Sequence, residues 1–404
     1  MVGRELMRAG HRVTILEARG RVGGRIWELP ADQFGYRAEG GAEFIHGEAP
    51  VTRALVAEAG LTLVRGRRDG QRWDRRGGKL ISRDDDVPGL DLVPARLATL
   101  KRDLPIAEFL NEHFAGDKFA AMRTAIIRMT EGYDAADPLR ASTFALRDEW
   151  LGGGLRQSHR VEEGYGALMD FLAAEIRRGG GTIHLRAEVT VVEGAGVRCA
   201  NGAQFTGDRI VLTVPLPVLH DIQFDPATTA RWQAAERIGY GDVIKLIFRF
   251  EHAWWSHAVG HDLSRLSFMI SDEFVPTWWT QYPRPHPVLT GWLAGPRAAQ
   301  LRLSEAMLIE RGLESLAHIF DEAPGTLRAL LTAARALHWG QDRFARGAYS
   351  YATPESRAAQ EELARPAGGV LYYSGEALYR GPDIGTVEAA LSNGKDVAAI
   401  VARG

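Results

Sequence analysis

One lysine stands in an apolar stretch of the sequence, where a charged side chain is costly to bury. Lysine occurs at only five of the 404 positions, and Lys245 interrupts the apolar, β-branched run 243–248. Such a run predicts a β-strand. An ammonium group within a strand either faces solvent from the edge of a sheet or is buried with a polar partner and is available for chemistry. The residue pattern alone leaves both interpretations open.

A second candidate for chemistry is the carboxylate of Glu17, which ends a short predicted strand. Residues 5–10 are typical of the last turns of a helix, and residues 13–16 of the strand that follows it. In dinucleotide-binding folds this strand ends in an acidic residue that hydrogen-bonds a ribose hydroxyl, and a glycine-rich phosphate turn lies about 20 residues earlier. Only sixteen residues precede Glu17. We therefore expect the first strand and its phosphate turn to be absent from this chain.

Two glycine-rich segments follow Glu17 and could bring backbone close to a ligand. Residues 18–25 contain the pair Gly23-Gly24 and several arginines that could reach a pyrophosphate. Residues 39–47 form a second segment flanked by glycines.

The elements that must position these residues are of two kinds. Residues 166–178 predict a helix, which leads into a strand at 182–192, a hairpin around Asn201-Gly202 and a strand at 209–214. Residues 240–295 instead alternate in the manner of strands and favour a separate antiparallel sheet. The predicted fold class is α/β, a Rossmann-like dinucleotide-binding domain interleaved with an α+β domain that contains the antiparallel sheet.

Composition excludes several classes of protein. The formal net charge of -2 gives no positive field for nucleic acid, and apolar runs are too short to span a bilayer. The single cysteine, Cys199, rules out an internal disulfide and a cysteine metal cluster. We expect a cytoplasmic protein with no membrane segment, no metal and no nucleic-acid partner.

Five motifs follow one another along nearly the whole chain. They are E-A-R-x-R-x-G-G-R at 17–25, G-G-A-E-x-I-H-G at 40–47, G-D-V-I-K at 241–245, Trp339 with G-A-Y-S at 347–350, and S-G-E at 374–376 with G-T-V-E at 385–388. Together they resemble the flavin-containing amine oxidases, the monoamine and polyamine oxidase superfamily. The resemblance implies a discontinuous FAD-binding domain formed by residues 1–65, 160–235 and 367–404. Residues 66–159 and 236–366 would form the substrate-binding domain.

The resemblance implies FAD as the cofactor and a set of residues that hold it. Glu17 would bind the adenosine ribose, Val189 would pair its backbone with adenine, and Glu376 would lie beside the ribityl chain. A helix N-terminus at Thr386 and Val387 would stabilise negative charge on the flavin. The full implied set is Glu17, Arg19, Gly23, Gly24, Arg25, Gly41, Ala42, Glu43, Val189, Gly375, Glu376, Thr386 and Val387. Ala348 stands where monoamine oxidases have a flavin-linking cysteine, so the resemblance implies noncovalent binding.

The resemblance also implies the catalytic residues Lys245, Trp339 and Tyr349. Lys245 would hold a water against flavin N5, which favours the buried interpretation, with water and reduced flavin as its partners. Trp339 and Tyr349 would present aromatic faces to the amine. Thr386 stands where monoamine oxidases have a second tyrosine, which is closer to the polyamine oxidase pattern. His46 would lie near the substrate entrance.

The implied activity is the FAD-dependent oxidation of a small amine. Hydride passes from the carbon next to nitrogen to flavin N5, the imine is hydrolysed to an aldehyde, and O2 is reduced to hydrogen peroxide. Two alternatives remain open. One is an amino-acid oxidase or a desaturase of the same fold, although amino-acid oxidases usually place an arginine in the segment corresponding to 41–47 and none stands there. The other is a truncated, flavin-free remnant, because phosphate-cradling amides would be missing.

Overall fold

The computed structural model describes residues 1–66, 69–82, 87–152 and 158–403. Its α-helices are α1 (Val2–Arg8), α2 (Ala31–Phe34), α3 (Pro50–Glu58), α4 (Leu92–Ala98), α5 (Ile106–His113), α6 (Ala120–Gly132), α7 (Thr143–Gly152), α8 (Tyr165–Arg178), α9 (Pro226–Trp232), α10 (Pro296–Gln300), α11 (Glu305–Phe320), α12 (Pro324–Leu330), α13 (Ser356–Leu363) and α14 (Val387–Val401). Its strands are β1 (Thr14–Glu17), β2 (Glu28–Leu29), β3 (Ala38–Glu39), β4 (Ile45–His46), β5 (Leu63–Arg65), β6 (Gln71–Arg76), β7 (Lys79–Ser82), β8 (Ser158–Val161), β9 (Thr182–Leu185), β10 (Val189–Glu193), β11 (Gly196–Cys199), β12 (Gln204–Thr206), β13 (Ile210–Leu212), β14 (Gly239–Gly241), β15 (Val243–Phe250), β16 (Leu266–Ser271), β17 (Thr277–Thr280), β18 (Val288–Ala294), β19 (Leu331–His338), β20 (Tyr349–Tyr351) and β21 (Leu371–Tyr373).

Parallel strand pairs and the helices packed on them form the dinucleotide-binding part of the fold. Strand β1 pairs with β9 in parallel, and β13 pairs with β21 in parallel. Helix α1 packs against α8 and α14. Among the described residues, β1 and β13 each have this one strand partner, and residues of both strands line the same cavity. The α/β class predicted from the sequence is confirmed.

A seven-stranded sheet forms the second part, in the order β19-β15-β18-β17-β16-β6-β7. Strands β15 to β18 are antiparallel to their sheet neighbours within this group, which confirms the predicted antiparallel sheet. The sheet extends further than predicted, because β6 joins β16 in parallel. Helix α11, capped by the Ser304 hydroxyl, covers one face and buries Leu313 and Leu316 against Phe248 and Trp278.

The structure decides between the two interpretations of Lys245 that the residue pattern left open. Strand β15 lies between β18 and β19, with Lys245 opposite Trp292 on one side and Leu337 on the other, so the edge-strand alternative is excluded. One local prediction is wrong. The single strand predicted at 182–192 is two strands, β9 and β10. Arg186 between them has φ +56°, which takes the backbone out of the extended region.

The predicted hairpin around Asn201-Gly202 is present as β11 and β12, and the predicted helix at 166–178 is α8. In the part of the chain that the structure describes, no helix combines the length and apolar character needed to cross a bilayer.

Candidate active site

A cavity of about 2350 Å³ runs between the two parts of the fold. Its lining includes Glu17, Arg25, Lys245, Tyr349 and Glu376, which are far apart in the sequence. The fold therefore gathers at one cavity the residues that the separate motifs singled out.

Glu17 lies at the carboxyl end of β1 and lines the cavity. Burial raises the pKa of this carboxyl group, although the hydrogen bond from the Arg19 backbone N–H to Oε1, at 2.7 Å, acts in the opposite direction. The Arg19 side chain donates two hydrogen bonds to Asp342, at 2.6 and 2.8 Å. Val189, at the start of β10, lines the same cavity. Glu17, Arg19 and Val189 are therefore placed to contact a bound nucleoside, and Asp342 fixes the Arg19 side chain.

The loop after Glu17 adopts a conformation that requires its glycines. Gly23 has φ +100° and Gly24 has φ +57°, and a Cβ on Gly23 would lie 2.7 Å from the Ile26 oxygen. The Arg21 guanidinium holds the loop closed by donating to the backbone oxygens of Gly24 and Ile26, both at 2.8 Å. Both glycines line the cavity, so backbone is available to a ligand there.

The half-buried Arg25 and the buried Glu376 form an ion pair on the cavity wall. Arg25 Nη1 donates to Glu376 Oε1 and to the Ala348 oxygen, each at 2.8 Å. Glu376 Oε1 also accepts from the backbone and the hydroxyl of Ser350. Glu376 Oε2 is buried and has no hydrogen-bond partner among the described residues. A ligand with hydroxyl groups would fit this carboxylate, because an unpaired buried oxygen is unfavourable.

Gly41 is required by packing as well as by any approach to a ligand. A Cβ on this residue would lie 1.8 Å from the Arg25 backbone oxygen and 3.3 Å from the Trp339 ring. The resemblance includes Gly41 and Ala42 among the residues that hold FAD, and the packing against Arg25 and Trp339 is a second reason for glycine at position 41. The neighbouring Ala42 also lines the cavity.

Lys245 is buried, with only 1% of its surface exposed. Its Nζ donates to the Gly41 oxygen at 3.0 Å and to Glu43 Oε2 at 2.9 Å. The resemblance implied water and reduced flavin as the partners of Lys245. It also implied that Glu43 contacts the cofactor. The structure instead gives this ammonium two partners from the protein, and one of them is Glu43.

Aromatic side chains surround this end of the cavity. Trp339 donates to the Gly40 oxygen at 3.2 Å, and the Tyr349 hydroxyl donates to the Tyr133 oxygen at 2.7 Å. Trp279 and Trp292, whose rings are 5.7 Å apart, also line the cavity and were missed by sequence reasoning. A register prediction for β15, β17 and β18 could have found them, because Trp292 is directly opposite Lys245.

His46 lines the cavity beside the rings of Phe44 and Tyr133. Burial lowers the pKa of its imidazole to about 4. His46 is therefore neutral near pH 7 and offers a substrate hydrogen bonding and ring contact without positive charge.

Carboxyl groups that the sequence analysis did not single out line the cavity near Tyr133. They are Glu131, Asp134, Glu149 and Asp383. Burial, together with the charge of Glu149, raises the pKa of Asp134, and burial together with Asp383 raises the pKa of Glu149 to about 7. Glu149 Oε1 is buried without a partner in the described chain. No motif spacing signals this group, because its members come from α6, α7 and a loop.

The N-terminus of α14 also faces the cavity through Thr386 and Val387. The Thr386 hydroxyl accepts from the Ala389 backbone N–H at 3.1 Å and donates to the backbone oxygen of Asp383 at 2.7 Å. Thr386 is thus an N-cap, as its type predicts. Gly375 lines the cavity as well, and its N–H donates to Asn393.

Curated relatives match most of the chain. The probable polyamine oxidase 4 of Arabidopsis thaliana is 26% identical, over 93% of this chain and 79% of its own length. Lysine-specific histone demethylase 2 of Homo sapiens is 24% identical, over 93% of this chain and 49% of its own length. The chain thus spans about half of the demethylase.

Solved structures share the fold over the full chain. Cyclohexylamine oxidase from Brevibacterium oxydans IH-35A superposes with a TM-score of 0.81 at 19% identity, covering 100% of this chain and 96% of that one. Putrescine oxidase bound to putrescine superposes with a TM-score of 0.79 at 20% identity, with the same coverage. The sequence pattern of the family described as flavin containing amine oxidoreductase matches residues 1–118 and 88–402. Because these matches include nearly every residue, the chain belongs to the flavin containing amine oxidoreductases, enzymes that use a flavin to oxidise amines.

Proposed function

We propose that the flavin of this enzyme is FAD, bound noncovalently along the cavity. Glu17 and Val189 would hold the adenosine end, and the unpaired Oε2 of Glu376 would accept from the ribityl chain. The N-terminus of α14 would direct its positive dipole end toward the flavin. The further proposed contacts are Arg19, Gly23, Gly24, Arg25, Gly41, Ala42, Gly375, Thr386 and Val387.

Noncovalent binding is supported by the side chains near the cavity. Ala348, at the position where the resemblance puts a linking cysteine in monoamine oxidases, has no nucleophile. Cys199 is buried on β11 and is not among the residues that line the cavity.

The proposed division into two domains is supported by the sheets. The parallel pairs β1–β9 and β13–β21 lie within residues 1–65, 160–235 and 367–404, which we propose as the FAD-binding domain. Every strand of the seven-stranded sheet lies within residues 66–159 and 236–366, the proposed substrate-binding domain.

In the proposed reaction, Lys245 and the aromatic residues position the reactants. A flavin held by these residues would supply the acceptor for the substrate hydride and the two electrons that reduce O2 to hydrogen peroxide. The Lys245 ammonium has three N–H donors and two acceptors among the described residues, so one donor remains for a water. Burial and nearby acidic groups raise the pKa of Tyr349 well above its usual value. Tyr349 and Trp339 therefore orient the amine with their ring faces and transfer no proton at neutral pH.

The substrate that this cavity fits best is a small amine with a second, positively charged nitrogen. The observation that supports this class is the group Asp134, Glu149 and Asp383, whose carboxyl pKa values are all raised. An ammonium bound there would favour the ionised carboxylates and relieve their mutual repulsion. At the other end, Lys245 and Arg160 together exceed the charge of Glu43 by one positive unit, which favours a neutral reacting amine. Polyamines have this combination of charges.

A spectrum and a substrate panel test the proposal. The purified chain is incubated with excess FAD, freed of unbound cofactor and examined for flavin absorbance. Peroxide production is then measured with spermidine, benzylamine and leucine. We expect retained, acid-extractable FAD and a KM at least roughly tenfold lower for spermidine than for benzylamine, since one desolvated charge pair is worth more than about 1.4 kcal/mol. A protein that stays colourless contradicts FAD binding, and faster turnover of leucine would favour an amino-acid oxidase.

A further inference from the structure

Glu43 connects Lys245 to three other polar side chains beneath the reacting end of the cavity. We propose that Glu43 is a positioning residue, which acts on amine oxidation through Lys245 by keeping that ammonium charged and fixed. It would not act by touching the flavin. This inference rests on the proposed function in one respect, namely that Lys245 lies at the reacting end.

The hydrogen bonds of Glu43 leave little capacity for a ligand. Oε2 accepts from Lys245 Nζ at 2.9 Å, and Oε1 accepts from Arg160 Nε at 3.0 Å. Trp279 Nε1 lies 3.1 and 3.2 Å from the two oxygens, and Gln281 Nε2 donates to Oε1 at 3.2 Å. Both carboxylate oxygens are therefore occupied by the protein, in contrast to Oε2 of Glu376.

These donors come from three strands, two of which belong to the seven-stranded sheet. Lys245 is on β15, Arg160 is on β8, and Trp279 is on β17 with Gln281 just after that strand. Glu43 itself follows the glycine pair whose second member, Gly41, gives Lys245 its other acceptor. The carboxylate thus fixes the end of a long, flexible lysine side chain relative to the glycine segment.

Charge balance makes Glu43 decisive for the protonation of Lys245. Burial alone would raise the pKa of Glu43, but the charges of Lys245 and Arg160 and the hydrogen bonds from Lys245 and Gln281 lower it to about 2. Glu43 is therefore ionised at every pH at which the enzyme works. Without this negative charge, the buried Lys245 and the partly exposed Arg160 would be two neighbouring cations with no shared counter-ion. Arginine does not lose its proton in proteins, so Lys245 is the cation of the two that can become neutral in such a variant.

The first test follows the reactivity of the Lys245 amine toward an acylating reagent and needs no bound flavin. The wild-type chain and the Glu43→Gln variant are treated with acetic anhydride at pH 7, and acetylation of each lysine is followed by peptide mass spectrometry. Lys79, Lys101, Lys118 and Lys395 are exposed and serve as internal references. We expect relative acetylation of Lys245 to rise at least roughly tenfold in Glu43→Gln, because only the neutral amine reacts.

Glu39→Gln is the matched control for this labelling. Glu39 is a nearby buried glutamate that accepts from the Tyr165 backbone N–H and has no hydrogen bond to Lys245. Burial raises its pKa to about 8, so replacement by neutral glutamine changes little charge at pH 7. Equal acetylation of Lys245 in Glu43→Gln and Glu39→Gln would overturn the proposal. If Glu43→Gln does not fold, Glu43→Asp replaces it, and a rise of about threefold or more is expected from the longer, weaker contact.

The second test asks whether Glu43 acts through Lys245 in the reaction. The rate at which O2 reoxidises the reduced holoenzyme is measured by stopped flow in wild type, Glu43→Gln, Lys245→Met and the double variant. We expect each single change to slow reoxidation, the double variant to match Lys245→Met, and Glu43→Asp to recover part of the rate. Slowing factors that multiply in the double variant would show that Glu43 acts apart from Lys245. If the wild type binds no flavin, the proposed function fails, and the acetylation result still decides the Glu43 proposal.

Discussion

The hydroxyl of Tyr349 donates a hydrogen bond of 2.7 Å to the backbone oxygen of Tyr133. This contact joins β20 to the end of α6, the segment that also carries Asp134. The aromatic wall beside the reacting end is thereby tied to the acidic residues of the substrate cavity.

Removal of this hydroxyl tests whether Tyr349 acts by its ring. In Tyr349→Phe we expect kcat within about fivefold of wild type, because a single neutral hydrogen bond contributes only about 1 kcal/mol. In Tyr349→Ala we expect kcat/KM to fall by roughly tenfold or more, since the ring face is lost. Steady-state peroxide assays compare the two variants. A loss in Tyr349→Phe as large as in Tyr349→Ala would contradict an orienting ring and indicate a role for the hydroxyl in proton transfer.

The carboxyl groups of Asp134, Glu149 and Asp383 should contribute to binding of the second, positively charged nitrogen of the substrate. We expect Asp134→Asn to raise KM for spermidine by roughly tenfold, because a buried charge pair is lost. KM for benzylamine, which has one nitrogen, should change by less than about twofold. The benzylamine assay is thus an internal control for folding and flavin content. An equal rise for both amines would place Asp134 outside the recognition of the second charge.

The pH dependence of KM for spermidine should follow the ionisation of the Glu149 carboxyl group. Its pKa of about 7 means that the carboxyl is neutral below pH 7 and ionised above it. KM for spermidine should therefore fall as pH rises from 6 to 8, and this fall should be smaller in Glu149→Gln. The pKa of Glu149 is about 4.5 in the unfolded chain and about 7 in the folded protein, so the unfolded chain loses this proton at lower pH. In the absence of substrate, the free energy of unfolding should therefore decrease as pH rises from about 4.5 to about 7. Thermal unfolding in that range, with and without spermidine, provides the second measurement.

The unpaired oxygen of Glu376 should make this residue important for flavin retention. In Glu376→Gln we expect the FAD content after gel filtration to fall at least roughly fivefold, since the ion pair with Arg25 and a charged acceptor are both lost. Ser350→Ala removes one hydrogen bond to the other oxygen, Oε1, and is the control. A variant Glu376→Gln that retains full flavin would argue against the proposed ribityl contact.

The close approach at Gly41 should make the fold intolerant of a side chain there. We expect Gly41→Ala to lower the free energy of unfolding by about 3 kcal/mol, because its Cβ would overlap the Arg25 oxygen. Gly325, at the start of α12, has open space around a Cβ, so Gly325→Ala should be neutral or slightly stabilising. Chemical denaturation of both variants makes the comparison. Equal free energies of unfolding for Gly41→Ala and Gly325→Ala would show that the segment around Gly41 moves to accommodate the added Cβ.

Several features followed from the sequence because they depend on short stretches of chain. Alternation of apolar residues predicted the antiparallel sheet, and the residue types around Glu17 predicted a strand that ends in a carboxylate. The glycine pair at 23 and 24 indicated a place where backbone could approach a ligand closely, and both residues line the cavity with positive φ angles. The apolar run around Lys245 did not decide whether this side chain is buried, because six residues do not show whether their strand lies at the edge or in the interior of a sheet.

The sequence by itself determined the family, the α/β class and the motif residues that line the cavity. Each motif is a short contiguous stretch, so it can be recognised without knowing which residues pack against it. Tertiary structure alone decided the partners. Glu43 and Lys245 are paired across 202 positions, and Arg25 and Glu376 across 351. The acidic group comes from elements that share no motif. Pairings of this kind depend on how sheets and helices pack, and packing depends on the whole chain at once.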